Sequence, residues 1–68
     1  MRKIGSIIKQ RRKLLRISQR QLADISGIGI NTLTKIERGE ANPSIGTLQR
    51  VLDALGLKLD VSVKSIEV

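Results

Sequence analysis

Apolar residues recur at helical spacing along most of this chain and switch to a spacing of two near its end. Ile4, Ile7, Ile8, Leu14 and Leu15 predict an amphipathic helix over residues 3–15. Ser18 opens a second helix: Ser18-x-x-Gln21 has the form of a capping box, in which hydroxyl and glutamine each satisfy an end amide. Leu22, Ala23 and Ile25 are expected to form its buried side. Ala23 suits either a close helix crossing or simple helix propensity. Gly27 supplies a left-handed stop. A third helix is expected over Ile30–Arg38, with Leu33 and Ile36 inward and Gly39 at its end. Asn42-Pro43 is a turn dipeptide, and Ser44 can cap a fourth helix built on Ile45, Leu48, Val51, Leu52 and Leu55 and closed by Gly56.

Arg12 interrupts the apolar face of the first helix, following Ile8 by one turn and preceding Leu15. An unpaired buried charge costs several kcal/mol, so Arg12 needs an acidic partner. Glu37 lies one turn after Leu33, close to the inward face of the third helix, and is the expected partner.

Leu57, Leu59, Val61 and Val63 alternate with Lys58, Asp60, Ser62 and Lys64. Period two and β-branched residues argue for a strand. A lone strand leaves its backbone unpaired, and pairing with the same strand of a second copy resolves this. A fifth short helix or a frayed tail is the alternative. The expected division is a domain over residues 1–56 and a dimerisation strand and tail over 57–68.

The chain has 68 residues, a size at which folding buries only about 60% of the unfolded surface. It lacks cysteine, histidine and every aromatic residue, so the core must be aliphatic and oligomerisation is the remaining source of buried area. Those absences also remove most acid–base and nucleophilic side chains. The carboxylates show no metal-ligand pattern, and Gly27-Ile28-Gly29 is not followed by the Gly-Lys-Ser/Thr of a phosphate loop. No catalysis, metal or cofactor is expected. The formal charge is +7, and Arg2, Lys3, Lys9, Arg11, Arg12, Lys13, Arg16 and Arg20 all precede the first acid, Asp24. Such a block suggests a polyanion partner or a solubilising surface. Membrane adsorption would want aromatic anchors, and RNA binding would want aromatic stacking platforms. The apolar run at the start is too short for a signal peptide, which places the protein in the cytoplasm, on DNA in the nucleoid if it binds there.

Residues 18–44 combine a capped helix, a tight glycine turn and a short helix with polar side chains outward, a device for entering the DNA major groove. Arg12, Ser18-Gln19, Leu22-Ala23, Gly27, Thr32, Ile36-Glu37-Arg38-Gly39 and Pro43-Ser44 together resemble the Xre/Cro/C1-type helix-turn-helix repressor family, over residues 4–56. The continuation LGLKLDVSVK resembles the end of HipB-like antitoxins. The resemblance implies a mainly α, lambda-repressor-like domain of four helices, with a C-terminal strand pairing across a homodimer. The fifth helix is the alternative to that strand.

Carried over residue by residue, the resemblance implies that Gln19 contacts a phosphate or the first base pair. Ile30, Asn31, Thr32 and Lys35 would face the groove, where Asn31 could bond adenine and Lys35 guanine. Ile30 could meet a thymine methyl or simply pack. Thr34 and Arg38 would lie near phosphates, and the Ser44 amide would donate to one. The sequence departs from the family's pattern twice. Arg16 stands where glycine is common, so a left-handed backbone there would be strained; its side chain could reach a phosphate or remain solvated. Gly29 replaces a capping Ser, Thr or Asp and still permits a cap at the DNA-facing start of the third helix.

The function implied is a homodimeric, sequence-specific repressor on a palindromic operator of double-stranded DNA, with recognition helices about 34 Å apart. An antitoxin that also restrains a HipA-like toxin kinase, and a restriction–modification controller, are the alternatives.

Overall fold

The structure is a computed structural model and describes residues 2–59. Its helices are α1 (Arg2–Leu14), α2 (Gln19–Ser26), α3 (Ile30–Arg38) and α4 (Ile45–Ala54), and the described residues contain no strand. Leu57 and Leu59, expected in a strand, instead pack half-buried against the core in irregular chain. Val61 and Val63 lie outside the described residues.

The core is aliphatic and continuous: Ile8 from α1, Leu22 and Ala23 from α2, Leu33 and Ile36 from α3, and Leu48, Val51, Leu52 and Leu55 from α4 and its end. Burying each large side chain contributes roughly 1.5–3 kcal/mol. Gly5 sets the approach of α1 to α3. It is buried, and a Cβ there would run into the Ile36 carbonyl oxygen and lie 2.9 Å from that of Glu37. The α3 backbone occupies the space a side chain would need.

Five apolar residues sit differently from the expected pattern and are exposed: Ile7, Leu14, Leu15, Ile25 and Ile45. Ile25, expected on the buried side of α2, is 63% exposed. The buried arc of that helix is Leu22, Ala23 and Ser26, and Ile25 is about 100° away from its centre. Ser26 is tolerated inside because its hydroxyl donates to Leu22 O at 2.6 Å. Leu14 is 71% exposed and Leu15 also faces solvent. The buried side of α1 is centred on Gly5, Ile8 and Arg12, and the helix ends at Leu14.

The ends of α2 follow local chemistry. Ser18 Oγ accepts from Gln21 N at 3.0 Å, and Gln21 Oε1 accepts from Ser18 N at 2.8 Å. Gly27 (φ 72°) turns the chain left-handed, and the Ile28 amide bonds Ala23 O at 3.1 Å, directing Ile28 toward the core. Ser18→Ala removes one half of the box and should cost about 1 kcal/mol. That loss would be read as a melting temperature lower by roughly 4–8 °C; an unchanged temperature would show that the box adds nothing.

The α4 end carries a link that the sequence reading missed. Arg11 Nε donates to Leu55 O at 2.9 Å, so α1 caps the carbonyl end of α4. Between the first half of α1 and this end lies an apolar groove of about 150 Å³, lined by Ile4, Ile7, Leu52, Leu57 and Leu59 with Lys58 at its rim. Among the described residues no helix is long and apolar enough to cross a membrane.

Candidate nucleic-acid interface

The third helix owes its orientation to charge as well as to packing. Arg12 Nε donates to Glu37 Oε2 at 2.8 Å and Nη2 to Glu37 Oε1 at 3.1 Å, a two-pronged pair. The two side chains are 11% and 2% exposed. The remaining prong, Nη1, donates to Ile17 O at 3.0 Å, which pins the turn between α1 and α2. Glu37 Oε1 also accepts from Gln19 Nε2 at 2.9 Å. One carboxylate on α3 therefore gathers α1 and the start of α2. Bidentate arginine–carboxylate geometry fixes direction as well as distance. No buried side-chain polar atom among the described residues is left without a partner.

This network engages a residue expected to contact DNA. The Gln19 amide must present its NH₂ to the Glu37 carboxylate, since a carboxylate only accepts. That turns Gln19 Oε1 toward Thr34, whose hydroxyl is 3.2 Å away and 2.9 Å from Ile30 O. The single Thr34 proton is thus used inside the protein, while its lone pairs and the second Gln19 N–H stay available. Gln19 is half-buried and Thr34 likewise.

The outward face of α3 is different. Asn31, Lys35 and Arg38 lie one turn apart along a single exposed stripe opposite Leu33 and Ile36. None of the three makes a side-chain hydrogen bond within the described residues, so an amide, an ammonium and a guanidinium are free to bind. Thr32 flanks the stripe and is exposed, whereas Ile30 is 38% exposed at the helix start. Gly29 caps α3 with extended backbone (φ −70°, ψ 147°) and no side-chain bond. Ser44 caps α4 through an acceptance from Thr47 N at 3.2 Å. Among the described residues no cluster of acidic side chains could hold a metal ion.

A short polar-faced helix, preceded by a glycine turn and held across a second helix, defines a helix-turn-helix protein. The family model described as "Helix-turn-helix" matches residues 8–62, and the chain belongs to this family, of Xre/Cro/C1 type. Its members are DNA-binding regulators rather than enzymes.

Relatives agree with the assignment. An uncharacterised HTH-type transcriptional regulator of Mycobacterium tuberculosis is 38% identical over 57 residues, 84% of this chain and 41% of its own. The immunity repressor protein of Bacillus phage phi105 is 38% identical over 60 residues, covering 88% of this chain and 42% of its own. This chain thus spans about two fifths of those relatives. The crystal structure of the restriction–modification controller protein C.AhdI from Aeromonas hydrophila superposes with a TM-score of 0.80 at 28% identity, over 84% of this chain and 86% of that one.

Proposed function

We propose that this protein is a sequence-specific transcriptional repressor that binds a palindromic operator as a homodimer and represses its own promoter by occupying it. The observation that carries the reading is the stripe of Asn31, Lys35 and Arg38, exposed and unpartnered among the described residues, on a helix whose opposite face is clamped by Arg12 and Glu37. Asn31 would read adenine and Lys35 guanine, with Thr32 and Ile30 beside them. Arg38, Thr34, Gln19 and the amides at Gly29 and Ser44 would position the protein on the phosphates. The likeness to a phage immunity repressor supports repression.

The apolar groove supports dimerisation. In this reading residues 1–56 bind DNA and 57–68 join the copies through Leu57, Leu59, Val61 and Val63. Two recognition helices would then meet half-sites about one helical turn apart.

Selection of binding sites from random DNA with the purified protein tests this reading. The expected product is a palindrome. Asn31→Ala or Lys35→Ala should each cost about 1–3 kcal/mol in binding and relax the preference at one base pair per half-site. Selection that enriches no sequence would refute specific recognition.

Two narrower readings have support of their own. The fold shared with C.AhdI favours a restriction–modification controller. The alternation over residues 57–63 favours a HipB-like antitoxin that also restrains a HipA-like kinase. A kinase that co-purifies with the protein would select the second, and a neighbouring restriction–modification operon the first.

A further inference from the structure

We propose that Arg16, in the turn between α1 and α2, is a DNA-backbone contact beside the recognition helix, gripping a phosphodiester through its guanidinium. The proposal rests on the DNA-binding reading above.

Arg16 is the one non-glycine residue among the described residues with positive φ, at 59°. An L side chain is strained there and glycine is not. The left-handed turn completes the end of α1, where the Ile17 amide donates to Arg12 O at 3.2 Å, but glycine at position 16 would allow the same bond without strain. The Arg16 amide donates to Lys13 O at 3.0 Å, but its exposed guanidinium has no hydrogen-bond or salt-bridge partner among the described residues.

The surroundings are built for an anion. Lys13, in the last turn of α1, and Arg20, in the first turn of α2, are both exposed and, among the described residues, unpaired. Glu37, the carboxylate that reaches this side of the molecule, is consumed by Arg12 and Gln19. Among the described residues none of Lys13, Arg16 and Arg20 is in a salt bridge, although Asp24 follows Arg20 by one turn of α2.

The turn is also held in place. Arg12 Nη1 fixes Ile17 O, directly after Arg16, and Gln19 ties the start of α2 to Thr34 on α3. The cationic edge thus adjoins the helix that would enter the groove, where the neighbouring phosphates of the same duplex run. A guanidinium matches a phosphate in a two-pronged fashion, which suits arginine to this position.

The test uses Arg16→Asn, which tolerates the left-handed backbone and removes the charge, and Arg16→Gly, which also removes the strain. Binding of the whole protein to a mixed-sequence duplex is followed by fluorescence anisotropy between about 0.05 and 0.2 M salt. Both variants should bind about five-fold more weakly at 0.15 M salt, with the slope of log K against log salt reduced by roughly 0.9 per bound protomer. Arg16→Gly should melt about 4 °C or more higher than wild type while binding less well, a combination that misfolding cannot produce. Arg50→Gln, exposed on α4, serves as the control for charge alone and should leave the slope unchanged. If wild type binds with a steep salt dependence and Arg16→Asn keeps the same slope, Arg16 is a solvated side chain and the proposal fails. An equal loss in Arg50→Gln would also overturn it, because bulk charge would then explain the effect. A wild-type protein that does not bind the duplex overturns the DNA-binding reading itself.

Discussion

Glu37→Ala should lose about 3 kcal/mol or more of unfolding free energy. The carboxylate is 2% exposed and satisfies Arg12 twice and Gln19 once. Its removal leaves the Arg12 guanidinium nearly buried with only the Ile17 carbonyl as partner. The cost comes from that abandoned charge more than from the pair's net strength. A double variant, Arg12→Met with Glu37→Leu, should therefore lose less than Glu37→Ala alone, since it removes both charges and fills their space. Urea unfolding followed by circular dichroism reads both. A loss below about half a kilocalorie per mole in the single variant would mean that the pair behaves like a surface salt bridge. DNA binding should fall in the single variant even where it remains folded, because Glu37 also orients Gln19 and the α3 axis.

Gly5→Ala should destabilise by at least about 2 kcal/mol, although alanine favours a helix by roughly 1 kcal/mol over glycine. The added methyl meets the Ile36 and Glu37 carbonyls, which are backbone and cannot rotate aside. Relief requires α1 to move away from α3, and that movement loosens the contacts of Ile8 and stretches the Arg12–Glu37 pair. Ser6→Ala, on the exposed side of the same turn, should be neutral within about half a kilocalorie per mole. Thermal melting of the two variants decides the matter. Equal stability would show that α1 and α3 have room to spare.

Much of the fold is legible in the sequence because its signals are local. Ser18 with Gln21 marks one helix start, Gly27 and Gly39 mark two helix stops, and Leu48, Val51, Leu52 and Leu55 mark a buried stripe. Each depends on neighbours within a turn or two, where backbone geometry leaves few options. Arg12 is legible for a related reason: a charge on an apolar face demands a partner. Ile25 and Leu14 mislead because spacing places a residue within an arc but does not say how wide the covered arc is. On α2 the partner helices cover Ser26 and leave Ile25 in solvent, a choice made by helix packing. Gly5 carries no local signal at all, since mid-helix glycine has no role until another helix crosses it.

The candidate interface divides in the same way. Asn31, Lys35 and Arg38 share a stripe by helical periodicity alone, so their common face could be drawn from the sequence. The engagement of Gln19 by Glu37 and Thr34 could not, because it joins residues far apart in the chain through a carboxylate oxygen and the Gln19 amide oxygen. The Arg11 link to Leu55 O and the freedom of the Arg16 guanidinium have the same origin.

The order of local structures, the positions of their caps and the need to pair Arg12 were determined by the sequence itself, because hydrogen bonding and helical period act over short stretches. The width of each buried face, the close crossing at Gly5 and the free or engaged state of each polar side chain were decided only by tertiary packing. Those properties depend on which surfaces meet in space and on which partners reach a given atom first.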